Sequence, residues 1–70
     1  MRQVIISTLK VLTDLENYLG YSLKGEISKE HYIHLRDLYQ DDALPYNCMS
    51  LAFHIVQTVR PGDVIEFNII

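Results

Sequence analysis

The sequence predicts a small α+β domain, a core of three helices followed by a C-terminal β-strand. Three observations carry this. Glycine and proline are sparse and fall at Gly20, Gly25, Pro45 and Pro61-Gly62, cutting the 70-residue chain into three long stretches and one short one. The long stretches repeat apolar residues at helical spacing, whereas the last, Val64–Ile70, alternates. With 49% apolar and 21% charged residues, the composition is that of a folded chain rather than a disordered one. The length suits one domain spanning residues 1–70. A chain of this size buries only about 60% of its unfolded surface, so the core is thin.

The first stretch runs from Val4 to Leu19. Ile5, Leu9, Leu12, Leu15 and Leu19 share one arc of a helical wheel, and Gly20 stands where a left-handed C-cap belongs. A second row, Val4, Val11 and Tyr18, lies beside that arc at a spacing of seven. Together the rows make an apolar face wider than the stripe of about 100° that a surface helix ordinarily buries. A competing strand over Gln3–Ser7 has the β-branched Val4, Ile5 and Ile6 in its favour; helix is the expectation preferred here.

The second stretch has the clearest start signal. Ser28 is a good N-cap, Glu30 places an anion in the first turn, and Ile27 is positioned to staple onto Tyr32. The helix is predicted to run to Gln40 with Leu35 at the centre of its buried face, flanked by His31, Tyr32, Leu38 and Tyr39. Ile33 falls on the opposite side, among Lys29, Glu30, Asp37 and Gln40, and is expected to face solvent.

The third stretch, Tyr46 to Val59, contains no charge. Its polar residues Asn47, Ser50, His54 and Gln57 form one narrow stripe, and the rest, including Cys48, Met49, Leu51, Ala52, Phe53, Ile55, Val56 and Val59, is apolar. A helix apolar nearly all round is expected to be the buried centre of the core. The 17 uncharged residues around it, with Pro45, Asn47, His54 and Gln57 among them, fall short of the about 20 apolar residues that a membrane span requires. No membrane association is expected.

Arg60-Pro61-Gly62-Asp63 is predicted as a type II turn. The strand after it points Ile65, Phe67 and Ile69 to one side and Glu66 and Asn68 to the other. A strand needs a mate for its backbone groups. Tyr21–Ile27 in a two-stranded sheet, the N-terminal residues, or the same strand of a second chain across a dimer are all compatible with the sequence.

Charge narrows the function. Residues 1–36 carry Arg2, Lys10, Lys24, Lys29 and Arg36 against Asp14, Glu16, Glu26 and Glu30; residues 37–70 carry Arg60 against Asp37, Asp41, Asp42, Asp63 and Glu66. The net charge of −3 therefore sits in the second half, and no basic stripe exists to neutralise phosphates. A nucleic-acid partner is not expected. His31, His34, Cys48 and His54 lack the tight ligand pairs of a structural zinc site. Cys48 and His54 diverge on one helix, so they make no nucleophile–base pair. Asp41-Asp42 resembles a paired-carboxylate site in composition alone. There is no phosphate loop, metalloprotease, kinase or hydrolase signature. The expectation is a chain without catalytic residues, metal or cofactor.

Two features rise above that background. Tyrosine, a residue favoured at interfaces, occurs five times in a chain without tryptophan. The over-wide apolar face of the first stretch exceeds what a small core can cover. The predicted partner-binding residues are accordingly Val4, Val11, Tyr18, Tyr21 and Ile33. The expected function is that of a small non-enzymatic interaction module (an adaptor, inhibitor or regulatory subunit) that binds another protein, with a homodimer through the first helix as part of that reading. The alternative is a helical DNA-binding regulator with the second and third stretches as a helix-turn-helix. Its connection, Asp41–Tyr46, is longer than the usual turn and its third stretch is too apolar for a major groove. The lone Cys48 fits a reducing compartment, and the N-terminal residues lack the marks of a signal peptide, so a cytoplasmic protein is expected.

Overall fold

The computed structural model describes residues 2–8 and 10–69. Its order is β1 (Gln3–Thr8), α1 (Val11–Leu19), β2 (Gly25–Glu26), α2 (Lys29–Gln40), a 3₁₀ turn (Tyr46–Cys48), α3 (Met49–Thr58) and β3 (Val64–Ile69). The fold class is α+β, and among the described residues three helices lie with a three-stranded mixed sheet.

The closing strand is the centre of that sheet, because the order is β1-β3-β2. It pairs in parallel with β1, Val4 opposite Ile65 and Ile6 opposite Phe67, and antiparallel with the short β2, Gly25 opposite Ile65. Both intramolecular mates considered for it are thus used. Its alternation fades toward the end: Ile65 is buried, Phe67 half-buried and Ile69 exposed. β2 is two residues long, so the far half of β3 runs past it.

This sheet corrects the reading of the first stretch. Residues 3–8 are a strand and not the opening turns of a helix; Leu9 lies outside the described residues. In β1 the side chains of Val4, Ile6 and Thr8 turn inward and those of Gln3, Ile5 and Ser7 outward. Strand geometry wins because β3 offers these residues a ladder, and the β-branched run Val4-Ile5-Ile6 fits a pleated surface. Ile5, assigned to the buried arc of the helix, is instead 68% exposed. The helical pattern holds from Val11 onward. Leu12 and Leu15 are buried, and Gly20 caps the helix with φ +85°, its N–H donating to Glu16 O at 2.9 Å. The chain then returns across the helix end, where Glu16 Oε2 accepts from Leu23 N at 2.6 Å and from Ser22 Oγ at 3.1 Å.

α2 begins at Ser28, whose hydroxyl accepts from His31 N at 3.1 Å, and ends at Gln40 as its signals predict. Leu35 is fully buried, but Ile33 is partly covered and not fully solvent-facing.

α3 needs the larger correction. Leu51, Ala52 and Ile55, with Cys48 and Val59 at its ends, face the core, while the stripe of Asn47, Ser50, His54 and Gln57 is exposed. The remaining side is only partly covered: Met49 and Val56 are half-buried, Phe53 is 47% exposed, and Tyr46 on the preceding 3₁₀ turn is 96% exposed. A domain this small has few elements to lay over a helix, so an apolar helix is closed on its inner side and covered only in part elsewhere.

The turn Arg60–Asp63 forms as predicted, with Asp63 N donating to Arg60 O at 3.0 Å and Gly62 at φ +92°. Asp63 is more than a turn residue. Its Oδ2 accepts from Arg2 Nη2 at 2.7 Å, Arg2 Nε at 3.2 Å and Arg60 N at 2.7 Å, and Arg2 Nη2 also reaches Thr58 O at 2.7 Å. This network ties the start of β1 to the end of α3 and the start of β3.

Candidate functional site

The five residues predicted from sequence do not form one surface. Val4 belongs to the buried side of β1, so the helical row Val4–Val11–Tyr18 does not exist. Tyr21 packs on α2: its ring stacks on His31 with centroids 3.7 Å apart and planes 6° from parallel, and its hydroxyl lies 3.0 Å from His34 Nδ1. Burial pushes the Tyr21 phenol above its ordinary pKa. Ile33 stands apart on the outer side of α2. Val11 and Tyr18 remain together on α1. Tyr18 is half-exposed, and its hydroxyl donates to Ala43 O at 2.6 Å, which fixes the ring against the α2–α3 connection.

Val11 has a new role. It lines an open groove of about 680 Å³ between α1 and α3, together with Ser7, Thr8, Lys10, Asp14, Asn47, Ser50, Leu51 and His54. Val11 and Leu51 supply apolar surface, and the polar groups ring it. Asn47 Nδ2 donates to Asp14 Oδ2 at 3.1 Å and bridges the two walls.

Next to this groove, around the same helix, runs an aromatic ridge. Tyr46, Met49, Phe53 and Val56 recur at the i, i+3, i+7, i+10 spacing that aligns side chains along a helix. Phe53 and Tyr46 are exposed and Met49 and Val56 partly so. α2 flanks the ridge: the Tyr39 ring centroid is 5.7 Å from that of Phe53, and the Tyr32 hydroxyl donates to Val56 O at 3.2 Å. On α2, Arg36 reaches Asp37 Oδ1 with Nη2 at 3.4 Å, and its Nε is buried without a partner among the described residues.

Sequence reasoning missed Tyr46 and Phe53 because it assigned the whole third stretch to the core. The signal was available in the polar stripe itself. Asn47, Ser50, His54 and Gln57 mark where solvent lies, and Tyr46 and Phe53 fall at its border on a 3.6-residue wheel.

The chemistry-bearing groups are dispersed. Among the described residues no three of His, Cys, Asp and Glu stand close enough to hold a metal ion. Cys48 is buried, and desolvation, helped by the Asp14 charge, pushes its thiol pKa up, away from the reactive thiolate. No helix among the described residues is long and apolar enough to cross a membrane. No family model, curated protein or solved structure matches the chain.

Proposed function

We propose that this protein is a small non-enzymatic interaction module, of the adaptor, inhibitor or regulatory-subunit kind, which works by docking the outer side of α3 onto another polypeptide. The observation that carries the reading is the ridge Tyr46–Met49–Phe53 along the 3₁₀ turn and α3, an aromatic and thioether surface on which Tyr46 and Phe53 stay exposed and Met49 partly so. Aromatic residues and methionine are the types enriched at the centres of protein interfaces. Val11 and Tyr18, named from sequence, adjoin this region through the α1–α3 groove and the Tyr18–Ala43 hydrogen bond. Self-association is one form such a contact can take, although α1 alone no longer offers the continuous row that suggested it. The DNA-binding alternative gains no support: residues 37–59 carry no lysine or arginine for phosphate contacts. A reducing, cytoplasmic setting is supported by a lone cysteine kept as a buried thiol.

Site-specific photocrosslinking in the source cell tests the reading. With p-benzoylphenylalanine in place of Phe53, the full chain is expected to capture a polypeptide that the same group in place of Glu30, on the exposed polar side of α2, does not. Absence of a Phe53 adduct, or equal adducts from both positions, would overturn it.

A further inference from the structure

We infer that the occupant of the α3 ridge is a cationic amphipathic helix of a partner protein; this rests on the docking reading above and adds the partner's chemistry. The shape comes from the ridge. Tyr46 on the 3₁₀ turn and Met49, Phe53 and Val56 on α3 follow one another over about 15 Å at roughly 1.5 Å per residue, and the α1–α3 groove runs beside them. A line of that length matches about three turns of a helix presenting its own apolar stripe.

The charge comes from the end of α2. Its last turn holds no basic residue, although the negative pole of the helix favours one. Asp37 stands there instead, with Asp41 and Asp42 just beyond. From residue 37 through 59 there are three aspartates and no lysine or arginine. Arg36 answers Asp37 loosely, at 3.4 Å between exposed side chains; neither Asp41 nor Asp42 has an ion-pair partner among the described residues. Tyr39, from the same turn, packs on Phe53, and the connection that carries Asp41 and Asp42 leads into Tyr46, which sets these two carboxylates at the Tyr46 end of the ridge, whereas Asp37 lies on the other face of α2. Asp42 also occupies a left-handed conformation, φ +56°, which costs a non-glycine residue some free energy. Carboxylates gathered at the wrong pole of a helix are relieved by lysine or arginine brought in from outside. The same arrangement disfavours other occupants. A second copy meeting it through the same face brings no lysine or arginine from residues 37–59, and an anionic membrane surface is repelled.

The probes are two synthetic three-turn helical peptides with leucine at 3–4 spacing, one carrying lysine and the other glutamate at every remaining position. Binding to the full-length chain is followed by fluorescence anisotropy. The lysine peptide is expected to bind at least about tenfold more tightly than the glutamate peptide, with affinity falling as salt is added. Y46S/F53S, at exposed positions that leave the core intact, is expected to weaken binding by about tenfold or more. D41N/D42N is expected to weaken it about three- to tenfold and to flatten the salt dependence; asparagine tolerates the left-handed conformation at residue 42. Circular dichroism melts confirm that both variants fold. Equal affinity of the two peptides, no binding of the lysine peptide, or an unchanged D41N/D42N would overturn the inference. Those results leave the photocrosslink at Phe53 standing, whereas loss of the crosslink removes the docking reading itself. A crosslinked segment that proves acidic or neutral would sink the cationic assignment alone.

Discussion

Ile55 and Phe53 lie two residues apart on α3, and their side chains meet opposite environments. Ile55 is fully buried among Leu51, Ala52, Cys48 and Val59, with Leu35 of α2 and the inward side chains Val4, Ile6 and Ile65 of the sheet in the same core. Phe53, the larger apolar group, keeps nearly half its surface in water. Residue type does not separate the two sides of this helix; cover does. The sheet and the neighbouring helices close over the Ile55 side, whereas the Phe53 side is met only along its edge by Tyr39 of α2. Apolarity reports how much burial would stabilise a side chain, and the outer side of α3 is where this fold provides only part of it.

The sharpest way to break that contrast is to truncate the inner side. Ile55→Ala removes methylene groups from a closed core and is expected to lower unfolding stability by about 2–5 kcal/mol, a large share of what a chain this short possesses. Urea denaturation measures it. A loss below about 1 kcal/mol would mean the inner side is no better packed than the outer one and would dissolve the comparison.

The inner side is held shut in part by Asp63, and acid should loosen it. Hydrogen bonds from the Arg2 side chain, then from the Arg60 backbone N–H, hold the Asp63 carboxyl below the usual carboxylate range. A folded-state pKa lower than the unfolded one contributes stability that is complete above about pH 4 and drains away as pH falls toward the depressed value. Asp63→Asn is therefore expected to lower Tm at neutral pH and to flatten the decline below about pH 4. Melting curves across the acid range check both. An Asn variant that kept the wild-type acid slope would assign that slope to other carboxylates.

A smaller effect is expected where a sequence signal was plain. Ser28→Ala deletes the hydroxyl that accepts from His31 N and should cost about 1 kcal/mol, seen as a modest shift in the urea midpoint. Ser28, Gly20 and the Arg60–Asp63 turn were legible because each acts on its own few residues: a cap, a left-handed glycine, a reversal. The inner positions of α1, α2 and α3 were legible as well, since 3.6-residue spacing is also local. The strand at Gln3–Thr8 was not. Val4, Ile5 and Ile6 satisfy a helical wheel and a pleat equally, and what decides is a partner 61 residues away, Ile65 opposite Val4. The candidate site was hidden for a related reason. Whether Tyr46 and Phe53 are covered depends on how many layers the chain can build, and no window of sequence contains that number.

The smallest stability change belongs to the ridge, and its smallness is informative. Tyr46→Ser alters a side chain already in water and is expected to stay within about 0.5 kcal/mol of wild type, whereas Phe53→Ser also removes a half-covered ring and is expected to cost about 1 kcal/mol. Phe53→Ser should be the larger of the two, because its ring rests against Tyr39. The pair Ile55→Ala and Phe53→Ser then measures the two sides of one helix with one assay. If Phe53→Ser destabilised the isolated chain as much as Ile55→Ala, the ridge would be part of the core in solution and would not be free for a partner. If stability holds while capture of the partner is lost, the same residues that add little to folding carry the binding, which is how a surface kept for another polypeptide differs from a defect in packing.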